Sequence, residues 1–557
     1  MAKKRGVAAL LIGGALIAAA CGGSGDDDTS SDTTAAGSTI AAIVPTTAAA
    51  NVTAAPSTAP ANANLDAELK FAWLGTSRTL DPAKGSLADW VHAYPIFDRL
   101  TRIDDNLQVV PMLAEKWAFS PDGKTMTITL RKDILFQDSS PIDSAAVKAN
   151  LERSKTLQGS LVAAALANIA SIETPDSTTV KLNLSGSGAS LPATFAGGSG
   201  MMINPKAFAS PTADLTAGPG KGNGSGPYEV TDFKAAESTS YARTSQKYWD
   251  PAAGQLKAFS LKFSGGSAAG LNGVKAGDFD LAQISGTDVA TAQADAKAGR
   301  IKAVEAPQLT TQNDLYFRSD KAGSPASNQK FRQAVQYAVD KKSIADGLFS
   351  GNCRVASQYL TKEHWAYSTA TESKYTFDQA KAKALLAESG VTNPTFTVTY
   401  AQGQTIDPIV QAVKQQLAAV GITMNLAPAP AANAAVPFQQ GQVDAGAGQL
   451  SGFINVEPSN FLSNYILDKA TSGVQVGYDT DGSLAKAAAE AADVNKSLAE
   501  RAKLYDAIWQ KIADQAWFVP ICNQTQLWAA NPNKPIQDKI QIRWSGLPDF
   551  RYVYVTK

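Results

Sequence analysis

Two rhythms of apolar and polar positions divide this chain. In the first half the period is mostly two. Leu69 to Trp73 reads as a strand and Leu80-Asp81-Pro82 as a turn. Met126, Ile128 and Leu130 alternate with Thr127, Thr129 and Arg131, and Pro121-Asp122-Gly123-Lys124 stands between them and Trp117-Ala118-Phe119. Glycine supplies the positive φ of such a turn, so this stretch predicts a hairpin. Val180 to Leu184 alternates in the same way. Pro227 to Val230 and Leu261 to Phe263 read as further strands. A short helix from Leu271 stops at Gly277, before Phe279-Asp280-Leu281. Two more helices are predicted here. One covers Trp90 to Leu100, on the spacing of Val91, Tyr94 and Phe97. The other opens at Asp143-Ser144 and carries Ala145, Val147 and Leu151.

Beyond residue 305 the period becomes helical. Phe331, Ala334, Val335, Ala338 and Val339 make one stripe. Asp378 is placed to cap a helix bearing Ala382, Leu385 and Leu386, with Gly390 as its stop. Ile409, Val413, Leu417 and Val420 make a third stripe ended by Gly421, and Leu504, Ile508 and Ile512 a fourth. Meander-like strands early and helices between strands later predict separate α/β lobes. No short-period repeat is present.

The first residues follow neither rhythm. Lys3-Lys4-Arg5 precedes an apolar run from Gly6 to Ala20, and Cys21 follows at once. A charged start, a short apolar stretch and small residues at its end make a secretory signal, here 1–20. Spanning a bilayer takes roughly 20 apolar residues, so the run is short for that. Cys21 after Ala18-Ala19-Ala20 resembles a bacterial lipobox, which implies lipidation of Cys21 and an extracytoplasmic protein held at the cell membrane. Gly22 to Asn64 is rich in Ser, Thr, Ala and Pro and has no aromatic residue. It cannot bury a core and is expected to be a tether.

Composition narrows the chemistry. Of 557 residues, 44% are hydrophobic and 18% charged, as in globular proteins. Lys plus Arg and Asp plus Glu are both 50, so charge gives no reason to expect nucleic acid. Only two histidines occur, His92 and His364, both in unremarkable surroundings and read as incidental surface or structural residues. Without HExxH or CxxC no metal site is expected, and no cofactor is expected either. There is no GxSxG, and Gly224-Ser225-Gly226 lacks the Lys-Ser/Thr of a phosphate loop. With Cys21 lipidated, Cys353 and Cys522 remain. In an oxidising compartment this pair reads as a disulfide, the alternative being two buried thiols.

Several blocks, in order, resemble the extracytoplasmic solute-binding proteins of family 5, the peptide/opine/nickel class that serves ABC importers. They are Thr79-Leu80-Asp81-Pro82; Pro111 to Trp117 with the hairpin and Leu130 to Phe136; Ser225-Gly226-Pro227-Tyr228; Lys247-Tyr248-Trp249; Phe331 to Lys341; and Phe377 to Gly390. The resemblance runs from about residue 69 to the end. It implies a two-lobed periplasmic-binding-protein-like α/β fold of the class II, cluster C type, with discontinuous lobes and an extra subdomain. Lobe I is expected at 65–305 plus 515–557, with an inserted subdomain at about 100–217, and lobe II at 306–514.

Two departures stand out. Gln137-Asp138-Ser139 replaces the family's His-Asp-Gly and reads as a surface-turn variation. Peptide-binding members carry a Trp and then an Asp before Asp-Pro-x-Asn-Phe, and that Asp pairs with the peptide ammonium. Here Ser451 and Ile454 align with them, and no carboxylate lies between Asp444 and Glu457.

The resemblance implies capture of a peptide-like or other polar organic solute by lobe closure and delivery to an ABC permease and ATPase complex by a monomer that is not an enzyme. The alternatives are a sensing receptor without transport and, less favoured, an extracellular hydrolase. Candidate ligand contacts are Trp73, Ser77, Arg78, Tyr94, Asn313, Tyr316, Gln449, Ser451, Phe453 and Asn455. Each has a plainer reading: Trp73 and Phe453 as core, Arg78 as a solvated charge, Gln449 and Asn455 as strand ends.

Overall fold

The computed structural model describes residue 58 and residues 60–557, less 105–107, 211–212, 287, 403–404, 431–432, 451–456, 468–475, 477, 538–539, 541 and 544–546. The signal, Cys21 and nearly all of the tether lie outside the described residues.

One eleven-stranded sheet runs through the molecule. Its order is Thr423–Ala429, Thr395–Ala401, Ala445–Leu450, Lys302–Phe317, Phe518–Ala530, Leu281–Ile284, Glu68–Trp73, Ala258–Phe263, Ser238–Arg243 and Tyr228–Lys234, with Cys353–Val355 paired to Phe518–Ala530 off this path. Two members are long. Lys302–Phe317 has 16 residues and Phe518–Ala530 has 13, and they pair antiparallel along most of their length. Both cross between hydrophobic cores. Val304, Trp528 and Ala530 pack with Phe71, Phe259 and Phe550, whereas Leu315, Phe317, Val519 and Ile521 pack with Phe331, Val398 and Val413. Their register shifts between Glu305 and Leu309, between Leu309 and Thr311 and between Asn313 and Asp314. The fold is thus α/β and two-lobed, with the crossing strands as the junction. At the start of Phe518–Ala530, Val519, Ile521 and Cys522 fill the second core, and at its end Trp528 and Ala530 fill the first.

A third core belongs to a four-stranded sheet, ordered Ala114–Phe119, Thr125–Leu130, Thr179–Leu184 and Ile169–Asp176. Met126, Ile128 and Leu130 face inward, as the alternation requires, and Gly123 turns the hairpin with φ +67°. The helix Ser144–Thr156 covers this sheet, and Asp143 caps it by accepting from the Ala146 N–H at 2.8 Å. Asp378 caps Gln379–Glu388 in the same way, and Gly390 and Gly421 adopt positive φ beyond their helices. One helix is shorter than its spacing suggests. It covers Leu87–Ala93 and stops there, since Pro95 has no N–H to continue the ladder.

The lobes touch away from the crossing strands. Gln293 Nε2 donates to Asn352 Oδ1 at 2.8 Å, Ser187 Oγ donates to the Ala492 carbonyl at 3.5 Å, and the hairpin turn at Gly123 faces Val494 and Asn495.

Cys353 and Cys522 form a disulfide with Cα atoms 5.4 Å apart, tying the short strand Cys353–Val355 to a crossing strand. The bond closes a loop of sequence separation 169. Replacing both cysteines by Ala should lower stability by roughly 2–5 kcal/mol, read as a lower denaturant midpoint for the second lobe. An unchanged midpoint would show that packing alone holds this strand.

Both histidines are buried rather than on the surface, because each sits in a closed polar contact. His92 Nδ1 meets Thr239 Oγ1 at 2.8 Å, and burial pulls its pKa down to about 4. The unfolded chain takes up this proton below about 6.5, whereas the folded chain resists it to about 4. Stability is therefore full above pH 6.5 and falls as the pH drops toward 4, by about 3 kcal/mol for this group alone. His92→Gln should flatten that part of a pH–stability curve, measured by denaturation at pH 4.5 and 7.

Candidate functional site

The crossing strands put a row of polar side chains at the junction of the lobes. Gln312, Asn313 and Asp314 are fully buried, at 0% exposure. Successive residues of a strand face opposite ways. Asn313 therefore lies on the side of Leu315 and Phe317, against the disulfide, with its Nδ2 3.4 Å from the Cys522 carbonyl. Gln449 Nε2 donates to Asn313 Oδ1 at 3.4 Å, so these two candidates meet. Tyr316 lies on the other side, edge-on to Phe438 at 4.7 Å. Its ring fills the space over Gly446, where a Cβ would sit 2.3 Å away. Leu450 pairs with Gln312, so Ser451, Phe453 and Asn455 follow directly from this floor; all three lie outside the described residues.

Gln312 and Asp314 share the Tyr316 side. Gln312 Nε2 donates to Asp314 Oδ1 at 2.8 Å. Asp314 Oδ2, Gln312 Oε1, Asn523 Oδ1 and the Tyr359 hydroxyl are buried without a hydrogen-bond partner among the described residues. Native interiors leave few polar atoms in that state. Gln312, Asp314, Tyr359 and Asn523 were not among the residues singled out from the sequence. The polar run Thr310-Thr311-Gln312-Asn313-Asp314 inside a strand was the available signal.

In the first lobe Trp73 ends its strand and stacks on Trp528 with centroids 6.0 Å apart, and both meet the edge of Phe550. Both indole N–H groups are buried and unpartnered among the described residues. Ser77 is buried in a turn, with Oγ donating to the Thr79 carbonyl at 3.1 Å. Arg78 is exposed, and its backbone N–H caps onto Asp89 at 2.6 Å. Tyr94 is buried under the Arg99 guanidinium, 3.9 Å from ring to Cζ. Trp73 and Tyr94 thus stand in the first-lobe core, and Ser77 and Arg78 shape the turn after the strand.

A buried charge network braces this lobe. Arg551 reaches Asp98 at 2.9 Å and Asp549 at 2.6 Å, and Arg99 reaches Asp549 at 3.0 Å. Tyr248 and Trp249 donate to the two oxygens of Asp98. Burial pushes Asp98 up to about 6, against the pull of Arg551, so it is ionised at neutral pH. Ser225 Oγ accepts from the Asp98 N–H at 2.7 Å, and Gly226 lies so close to Pro95 that a Cβ would sit 2.4 Å from its carbonyl oxygen. The turn residue Gln137 is no free surface variant. Its amide donates to the carbonyls of Gly226 and Tyr228 and accepts from the Gly224 N–H, which fastens this loop. The blocks around Asp98, Ser225 and Tyr248 are therefore scaffold. Arg551→Met would leave the buried Asp98 without its ion-pair cation, while Asp549 keeps Arg99, and should destabilise the first lobe by about 3–5 kcal/mol. Adding Asp98→Asn, which removes the carboxylate left uncompensated, should restore part of that loss in the same denaturation curve.

Glu457 is also committed. Arg501 holds it at 2.6 Å and the Tyr505 hydroxyl at 2.6 Å.

The profile of bacterial extracellular solute-binding proteins, family 5, matches residues 108–473. The probable D,D-dipeptide-binding periplasmic protein DdpA of Escherichia coli (strain K12) is 28% identical over 358 residues, covering 63% of this chain and 68% of that protein. The glutathione-binding protein GsiB of Salmonella paratyphi A is 28% identical over 374 residues, covering 66% and 71%. The crystal structure of NikA from Brucella suis in complex with Fe(III)-EDTA superposes with a TM-score of 0.76 at 21% identity, over 88% of this chain and 100% of that one, and bears on the fold alone. Crossing strands between two cores, an inserted small sheet and a matched profile over most of the chain lead to one conclusion: this protein belongs to the family 5 bacterial extracellular solute-binding proteins.

Proposed function

We propose that the chain is a monomeric extracytoplasmic lipoprotein, held to the cell membrane through Cys21 and the tether 22–64, that captures a peptide-like or other polar organic solute between its lobes. It then delivers the solute unchanged to an ABC permease and ATPase complex. The observation that carries this reading is the pair of crossing strands, shared by two cores, with buried polar side chains where they cross. Such a junction lets two preformed lobes close on a solute, and a permease that favours the closed form then senses loading. The relatives support a polar organic solute, one being a probable D,D-dipeptide-binding protein and another a glutathione-binding protein. Closure needs no nucleophile or metal, and among the described residues no group of three His, Cys, Asp or Glu is gathered to hold a metal ion.

The test is mass spectrometry of the full chain expressed in a bacterial host. The mature protein should start at an acylated Cys21, and Cys21→Ala should leave the membrane fraction. Native spectra after incubation with glutathione and a casein digest should show one solute per protein, released intact. An unacylated start elsewhere would overturn the anchor. Failure of every solute to bind would overturn capture, and turnover of a solute into product would overturn the reading as a carrier.

A further inference from the structure

Four of the buried polar atoms without partners belong to residues at one side of the crossing strands. Gln312 and Asn523 face each other across the strand pair, and Asp314 stands two residues along from Gln312. Opposite Asp314 on the neighbouring strand is Gly448, and opposite Tyr316 is Gly446. Residues directly opposite in an antiparallel pair share a face, so the strand Ala445–Leu450 places no side chain beside Asp314, and the Tyr316 ring takes the space over its glycines. Asp314 Oδ2, Gln312 Oε1, Asn523 Oδ1 and the Tyr359 hydroxyl oxygen remain. The Gln312 amide is fixed, because its nitrogen donates to Asp314 Oδ1. Its oxygen is therefore the free end. The cluster holds three acceptor oxygens and, in the Tyr359 hydroxyl, a single O–H donor, so its acceptors outnumber its donors.

It also lacks an ion-pair partner. None of the described ion pairs includes Asp314. The cation that acts on it is Lys341, itself buried, whose amine donates to the Ala356 carbonyl at 3.4 Å. Burial drives the Asp314 carboxyl well up and the Lys341 amine down to about 8. Tyr316, Tyr359 and Tyr465 complete the titratable surroundings, and all three feel the Asp314 charge. A buried carboxyl with an open oxygen is costly unless a cation or a donor completes it. No carboxylate lies between Asp444 and Glu457 in the sequence, and Glu457 is held by Arg501 and Tyr505.

We infer that Asp314, with Gln312, Asn523 and Tyr359, forms the subsite that receives a protonated amine of the bound solute. The ammonium donates to Asp314 Oδ2 and to the amide oxygens, and the tyrosine rings offer faces that favour a cation. In this lobe arrangement Asp314 is closed to water, so the solute enters with the lobes apart. The inference rests on the solute-binding reading and names the part of the solute that this floor selects.

The test offers the mature wild-type protein an equimolar mixture of a casein digest and the same digest N-acetylated with a heavy-isotope acetyl group. Retained solutes are separated by gel filtration and weighed. Wild type should retain free-amine peptides at least 10-fold over their acetylated forms. Asp314→Asn, with a far-ultraviolet spectrum and melting curve showing an intact fold, should bring that ratio below 2-fold. Asp314→Glu should recover part of it. An equal ratio for wild type and Asp314→Asn overturns the subsite, as does wild type retaining acetylated peptides equally or no peptide at all. Those last two results leave the solute-binding reading standing if melting curves rise with an uncharged or anionic solute such as a neutral oligosaccharide or N-acetylglutathione. If no solute raises them, both readings fall together. A structural water in place of the ammonium would show as an unchanged ratio.

Discussion

Two long strands are asked to belong to two hydrophobic cores at once, and the rest of the molecule is arranged around that demand. A strand that is buried at both ends must cross the gap between cores without leaving its backbone groups unpaired. Lys302–Phe317 and Phe518–Ala530 solve this by pairing with each other across the gap. The broken register near Glu305–Thr311 marks where the pairing is least regular, and it falls between the first core and the second. Side chains on either side of the break answer to different neighbours, so each lobe can be rigid while the join bends.

The two ends of the join are secured by different chemistry. In the first lobe the fastening is electrostatic: Asp98 and Arg99 are bound to Asp549 and Arg551, some 450 residues apart in sequence. Charges this buried gain little net stability over a packed apolar core, but breaking one partner is severe, which makes the arrangement specific. In the second lobe the fastening is covalent, through Cys353 and Cys522, directly against Asn313 of the polar floor. Both devices stiffen the supports of the junction and leave the row Gln312-Asn313-Asp314 between them.

Much of this was legible in the chain. The Met126-Ile128-Leu130 alternation, the Asp143 and Asp378 caps and the Gly390 and Gly421 stops are local, and local chemistry reads directly from sequence. The Cys353–Cys522 pairing followed from compartment and parity. Apolar spacing continues past Pro95 to Leu100, but the helix ends at Ala93, because spacing does not show a missing N–H. The site was less legible. Asn313 and Tyr316 were singled out, yet they face opposite sides of one strand, and the open carboxyl belongs to Asp314 between them. Which of three neighbouring residues points at an unmet need depends on Gly446, Gly448, Asn523 and Tyr359, brought from distant segments. Ser225, Tyr248 and Trp249 carry the family resemblance in the sequence and all hydrogen-bond to Asp98, a role that only the fold displays.

Hydrogen–deuterium exchange along the two crossing strands tests the junction most directly. If the strands are a hinge between two rigid cores, backbone amides of Asn313–Phe317 and of Val519, Ile521 and Cys522 will be among the slowest in the protein, and so will Ala529 and Ala530 at the other end. Amides of 305–311 between them will exchange much faster. Uniformly slow exchange from 302 to 317 would contradict it, since both cores would then open only as a single body.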